Sequence, residues 1–198
     1  MGAIYDRIAP LYLERNGTSV TVASYEESLT RFCGLIAGDG PILDLGCGVG
    51  MDLRWFHEHD HPAVGIDLSR GQLILAGEIG TGRLLQMEMQ HLGFCSEAFA
   101  AVWSSASLLH VPKAEAPTVV AEARRVLRSN GLLFVAVKAG EGEAWELGAY
   151  GEIRRFFARY SASEIQELLS EHGFSIIECR ETELNNEHWL YVLARKGE

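Results

Sequence analysis

A chain of 198 residues, 47% hydrophobic and 22% charged, is long enough for one domain with a sizeable core, or one with a small lid, and is ordinary for a soluble globular protein. A formal charge of −10, from 17 basic against 27 acidic residues, opposes a phosphate-binding face for nucleic acid or for an anionic membrane. Cys33, Cys47, Cys95 and Cys179 lack C-x-x-C spacing, no apolar run reaches membrane-spanning length, and residues 1–9 carry no basic-then-apolar leader; the expectation is a cytoplasmic protein with neither zinc nor disulfides.

The chain opens with Ile4, Ile8, Leu11 and Tyr12 at helical spacing, and Pro10 predicts two short helical pieces hinged near Ala9. After Asn16-Gly17, with Thr18-Ser19 as the cap, a second helix is expected to about Ala37. It carries Val22, Tyr25, Leu29, Phe32, Cys33 and Ile36 on one face and Glu26 and Glu27 on the solvated side. A strand over 41–46 runs into a glycine-rich turn, followed by a helix from about Gly50 to His59, a strand Ala63–Asp67, and a helix Arg70–Ile79 ended by Gly80-Thr81-Gly82. Leu84–Met87 and Ala98–Trp103 read as the third and fourth strands, and Ser104 to Pro112 as the loop leaving the fourth at its C-terminal end. His110, in that loop, has the titration range of a general base; between Leu109 and Val111 it also reads as an ordinary packing residue.

Lys113 to Arg128 is an amphipathic helix with Val119, Val120, Ala123, Val126 and Leu127 inward and Glu122, Arg124, Arg125 and Arg128 outward. Ser129-Asn130-Gly131 is a turn, Leu132–Val137 a buried strand, and Lys138 to Trp145 a flexible acidic loop suited to specificity or to mere connection. Arg154 and Arg155 either frame a carboxylate-bearing ligand or pair with surface acids. Ser161 and Glu164 form a capping box for a helix to about His172. Phe174–Arg180 and Trp189–Ala194, joined by the polar loop Glu181 to Glu187, are expected as a terminal antiparallel hairpin.

The organising stretch is Ile42-Leu43-Asp44-Leu45-Gly46-Cys47-Gly48-Val49-Gly50. Alternate glycines leave no Cβ in the way of a ligand, and the unpaired N–H groups of the following helix favour a polar or anionic group. The third glycine comes one residue early for a dinucleotide fingerprint, and Asp44 would repel a pyrophosphate but suit a cationic amino group. Asp67 follows at the end of the next strand, about twenty residues on, where an acid reaches both ribose hydroxyls.

D-x-G-x-G-x-G after a strand, then G-I-D-L-S at 65–69, resembles the class I S-adenosylmethionine-dependent methyltransferases, and the resemblance extends from about Leu11 to the end. It implies an α/β, doubly wound, Rossmann-like sheet of seven mostly parallel strands with a C-terminal antiparallel hairpin and an N-terminal helical lid. The chain would be a single domain over 1–198, with the lid at 1–37 and the core at 38–198. It implies S-adenosyl-L-methionine as cofactor and S-adenosyl-L-homocysteine as product. Asp44, Gly46, Cys47 and Gly48 would lie at the methionine part with Ser104 and Ser105, Asp67 and Leu68 at the ribose, and Glu88 and Met89 at the adenine. Tyr12 would lie over the cofactor, or else serve as an ordinary core or surface tyrosine. Glu88 for aspartate, Gly93 for proline, Ala100 for aspartate and Ser129-Asn130 for Pro-Gly depart from the family's pattern. The family shares no catalytic residue, so His110 is the sole catalytic candidate. The expected function is methyl transfer to a small-molecule acceptor, with no nucleic-acid or membrane partner. The alternatives are a non-catalytic cofactor-binding module and, less favoured, a nicotinamide-dependent oxidoreductase.

Overall fold

The computed structural model describes residues 1–16, 23–80, 82–147, 150–184 and 186–197. Thr18, Ser19, Val22 and Thr81, to which caps, a helix face and a turn were assigned, lie outside them. The chain forms α1 (Gly2–Asn16), α2 (Ala23–Leu35), β1 (Ile42–Leu45), α3 (Met51–Glu58), β2 (Ala63–Asp67), α4 (Arg70–Ile79), β3 (Arg83–Gln86) and β4 (Phe99–Ser105). A 3₁₀ turn at Leu108–His110 precedes α5 (Ala116–Val126) and β5 (Leu127–Lys138). The rest is β6 (Glu143–Leu147), β7 (Arg154–Ala158), α6 (Ala162–Glu171), β8 (Phe174–Leu184) and β9 (Glu187–Lys196).

Seven strands form one sheet in the order β3-β2-β1-β4-β5-β9-β8. β1 to β5 pair in parallel, while β9 runs antiparallel to both β5 and β8. The order reverses at β1 and β4, so helices cover both faces and a crevice opens where the crossovers diverge. Burial on both faces explains why most of β4 and β5 read as unbroken apolar runs and why β1 is apolar but for Asp44. One core layer centres on Val102, Val120, Val135 and Val192, the other on Phe32, Phe56, Trp103 and Phe134. In the second, the Trp103 and Phe134 rings stack at 3.8 Å and 9°, and the buried Leu29 and Phe32 of α2 pack alongside.

Several expectations need correction. Pro10 does not divide α1, which is one helix over 15 residues. The side chain of Asp6, whose carbonyl Pro10 leaves without an i+4 donor, accepts from the Ser69 hydroxyl and the Gly71 amide at 2.7 Å, tying the helix to α4. α5 is shorter than expected at both ends: Pro117 sits in its first turn, and Leu127 already belongs to β5. Asn130 takes φ 60°, and the register against β4 shifts there. Ser104 and Ser105 belong to β4, not to the loop after it. The loop expected over 138–145 begins in β5 and ends inside β6, which pairs with β7 in a separate two-stranded sheet. β8 and β9 extend to Leu184 and Glu187, so the polar segment between them is mostly strand. Glu122 and Arg125 do more than face solvent: Glu122 accepts from the Leu92 amide, and Arg125 donates to the Leu92 and Phe94 carbonyls at 2.8 Å. Together they fix the segment after β3.

Candidate active site

A cavity of about 620 Å³ opens at the C-terminal ends of β1, β2 and β4, closed over by α1, α2 and the β8–β9 hairpin. At one end lies the glycine turn. The Gly46 and Cys47 amides both donate to the Ile66 carbonyl at 2.9 Å, the Gly48 amide donates to Asp67 Oδ2 at 2.9 Å, and the Gly50 amide donates to the Cys47 carbonyl. These four donors are spent inside the protein, so what the turn offers a ligand is chiefly its shape and the first turn of α3. Gly46 and Gly48 serve different ends. A Cβ on Gly46, at φ 85°, would stand 2.4 Å from the Ser107 Cβ; a Cβ on Gly48 would meet nothing nearer than Gln72 Oε1 at 3.7 Å. The first glycine lets the β4 loop approach, and the second leaves room in the cavity.

Asp67 clasps both turns: Oδ2 takes the Gly48 amide and Oδ1 the Ser69 amide at 2.7 Å. Burial raises its carboxyl against the lowering pull of those amides. An ionised carboxylate accepts about four hydrogen bonds, so two remain for a ligand. Gln72, on α4, lines the cavity with 1% exposure, and neither end of its amide has a partner among the described residues. Asp52, on α3, lines it too; its Oδ2 accepts from the Tyr25 hydroxyl at 2.6 Å and the Trp103 indole at 2.7 Å.

The opposite end is aromatic and basic. His110 Nδ1 faces the Phe156 carbonyl at 2.7 Å, which only accepts, so that nitrogen carries the proton. Nε2 then accepts from the Tyr5 hydroxyl at 2.6 Å. Burial, with Arg155 and Lys138 nearby, depresses His110 to about 3, and burial pushes Tyr5 up to about 12. The histidine is therefore neutral at physiological pH, with both nitrogens engaged. Arg155 reaches the Tyr5 oxygen from Nη1 at 3.3 Å and lies 4.8 Å from the ring centroids of both Tyr150 and Phe157.

Tyr12, Gly46, Cys47, Gly48, Asp67, Leu68, Glu88, Met89, Ser105 and His110 all line the cavity. Asp44 and Ser104 do not. Asp44 lies beneath the turn, 2% exposed, with Oδ2 unpartnered; burial, then Asp52 and Asp67, hold its carboxyl well above the usual range. Ser104 shares its hydroxyl with Ser107 at 2.8 Å in the core. Sequence reasoning passed over Gln72 and Asp52, helix residues with no motif around them, and gave Arg155 the alternative of pairing with surface acids; among the described residues it lines the cavity without an ion pair, and Arg154, its neighbour, is the exposed one.

Residues 43–135 match the family model described as a methyltransferase domain. The methyltransferase GfsG of Streptomyces halstedii is 31% identical over 103 residues, covering 48% of this chain and 36% of that relative. The chain spans less than two thirds of the length of the first curated relatives it matches. Among solved structures, the Burkholderia thailandensis 1,6-didemethyltoxoflavin-N1-methyltransferase, with bound 1,6-didemethyltoxoflavin and S-adenosylhomocysteine, superposes at TM-score 0.76 with 21% identity, covering 99% of this chain and 88% of that one. The [4+2]-cyclase SpnF superposes at 0.75 with 19% identity, covering 99% and 94%. At such identities the likeness shows the fold.

Proposed function

We propose that this chain, whose residues 43–135 match a methyltransferase domain, is a class I S-adenosylmethionine-dependent methyltransferase and transfers a methyl group from S-adenosylmethionine to a small-molecule acceptor. The observation that carries the reading is the convergence at one end of the cavity of a side-chain-free Gly48 and the Asp67 carboxylate that grips it. The orphaned amide of Gln72 beside them supports it: a buried group that can donate and accept, without a partner, fits a ligand that does both. Asp67 would take the ribose hydroxyls on its two spare lone pairs, Glu88 and Met89 would meet the adenine, and Tyr12 with α1 would close over them as a lid. Asp44, under the turn, and Asp52, on the cavity wall, are acids whose charged form burial disfavours, and a cationic amino end bound beside them would offset that cost.

Bound there, the cofactor would supply an electrophilic methyl carbon on a sulfonium: the acceptor's heteroatom would bond to that carbon as the carbon–sulfur bond breaks, its electron pair staying on sulfur, and the acceptor's proton would pass finally to solvent. The chain contributes orientation and exclusion of water. His110 is the proposed catalytic group, acting through the Tyr5 hydroxyl, since Nε2 is committed to that proton. Its low basicity suits a proton given up late, when the acceptor atom already carries the methyl and is strongly acidic. The acidic net charge favours a small acceptor over nucleic acid.

Calorimetric titration with S-adenosylmethionine, S-adenosylhomocysteine and NADH tests the reading. Binding of the first two alone supports it, and binding of NADH alone sinks it. Asp67→Ala should weaken S-adenosylhomocysteine by about 1–3 kcal/mol, the cost of leaving ribose hydroxyls unpaired. Unchanged affinity in a folded variant would remove Asp67 from the site. A second reading, cofactor binding without methyl transfer, is favoured by the fold's appearance in a protein described as a [4+2]-cyclase. Binding with no labelled methyl reaching a broad acceptor panel would select it.

A further inference from the structure

We propose that the acceptor is a flat molecule bearing a carboxylate, and that Arg155 is the residue that selects it; the inference rests on the methyltransferase reading above. The cavity's basic end contains two cationic side chains, and they are not alike. Lys138 is neutralised by Glu187 at 2.7 Å. Arg155, half-buried, has no carboxylate at ion-pair distance among the described residues, and its Nε is buried without a hydrogen-bond partner. Among the described residues its side-chain hydrogen bond goes to a neutral phenol, that of Tyr5 at 3.3 Å. A guanidinium withdrawn from water without a counter-ion is costly, and a protein that retains one at a cavity wall gains when a ligand supplies the anion.

The geometry selects the kind of anion. The Arg155 guanidinium carbon lies 4.8 Å from the ring centroids of both Tyr150 and Phe157, so rings hold the side chain in one orientation. A fork fixed in this way matches the two oxygens of a carboxylate. Beside it Tyr12 stacks on Tyr150, centroids 6.0 Å apart at 24°, and Tyr5 meets Tyr12 edge-on at 5.9 Å. This aromatic wall suits a flat ring, on which the nucleophilic atom would be carried away from the carboxylate, toward the glycine end. The methyl-transfer balance is unchanged: the carboxylate anchors the acceptor and is not consumed.

The experiment titrates the S-adenosylhomocysteine-saturated protein with 4-hydroxybenzoate and 6-hydroxy-2-naphthoate and with the neutral amide of each. The acids should bind about tenfold tighter than their amides, the value of one charge-assisted pair. Arg155→Met should abolish the preference, and Arg155→Lys, which keeps the charge without the fork, should keep part of it. Affinity for S-adenosylhomocysteine should be unchanged in both, which also reports that they fold. Equal binding of acid and amide, including none by either, overturns the proposal. So does a preference that survives Arg155→Met. A loss of S-adenosylhomocysteine affinity in Arg155→Met overturns it as well, by giving the guanidinium to the cofactor's own carboxylate. If the wild-type protein binds no S-adenosylhomocysteine at all, the methyltransferase reading itself fails, a result distinct from these.

Discussion

Gly46 and Gly48 have the same identity and spacing, yet their surroundings assign them opposite jobs. Gly46→Ala would put a Cβ 2.4 Å from Ser107 at a left-handed φ of 85°, so we expect a loss of about 2–4 kcal/mol in unfolding free energy, read by denaturant titration. Gly48→Ala, with its Cβ in open space, should cost only about 1–2 kcal/mol for its left-handed backbone while weakening S-adenosylhomocysteine several-fold. Equal stability losses would refute the division of labour. The histidine permits a pH argument with a definite sign. His110 binds its proton at about 3 when folded and near 6.5 when unfolded, so between those values the unfolded chain holds more protons. Its contribution to stability is complete above 6.5 and is lost as the pH falls toward 3. The difference in melting temperature between the wild type and His110→Gln should therefore shrink across that window; a constant difference would show that the ring is not buried neutral. The glycines, Asp67 and His110 were legible in the sequence because a ligand turn and a strand-end acid demand residue types at short, fixed spacings. Arg155 was legible only as one of two alternatives, since the Tyr5 that it touches is 150 positions away and no local pattern marks the meeting. Gln72 was hidden for another reason: a glutamine on a helix looks solvated until its burial is known.

The elements that carry the sheet followed from the sequence because burial on one or both faces leaves a periodic mark. β2, α4 and the capping box of α6 fall where the pattern put them. β6 left no such mark: four of its five residues are exposed, and its register comes from pairing with β7 rather than from a buried face. α1 misled in the other direction, because a helix with proline inside can persist when tertiary bonds hold both sides of it. For α1 one such bond is the Asp6 carboxylate, which accepts from Ser69 and Gly71 at the start of α4. Those donors hold its carboxyl below the ordinary range, so the latch is intact above the unfolded value of 3.8 and is released as the pH falls through the lower folded one. Asp6→Ala should accordingly raise amide exchange in α1 while the protection of β1, β4 and β5 stays as it is. Because α1 forms a wall of the cavity through Tyr5 and Tyr12, the same variant should lose affinity for S-adenosylhomocysteine. If exchange in α1 does not change, Pro10 is tolerated for reasons other than this latch.

At the scale of the molecule, the cavity joins the two ends of the chain. Its wall runs from Met1 to Tyr191, and Asn16 at the end of α1 donates to the Tyr150 hydroxyl at 2.8 Å. The parallel half of the sheet supplies the glycine end, while α1, the 3₁₀ turn after β4, the end of β5 and β7 supply the aromatic and basic end. The match over residues 43–135 includes the glycine turn and Asp67 and ends before β7 and the terminal hairpin. A ligand occupying such a crevice touches segments that separate only when the whole fold is lost, so its binding free energy should appear as global stability. At a hundred times its dissociation constant, S-adenosylhomocysteine should add about 2.7 kcal/mol, and for a chain of this length that raises the melting temperature by roughly 5–10 °C. NADH at the same concentration should leave it unchanged. The shift should grow with the logarithm of ligand concentration and occur as one transition, since both halves of the wall must unfold together. A ligand-dependent shift confined to one of two separable transitions would mean that the halves unfold independently, and that the cavity's two ends are joined by proximity alone.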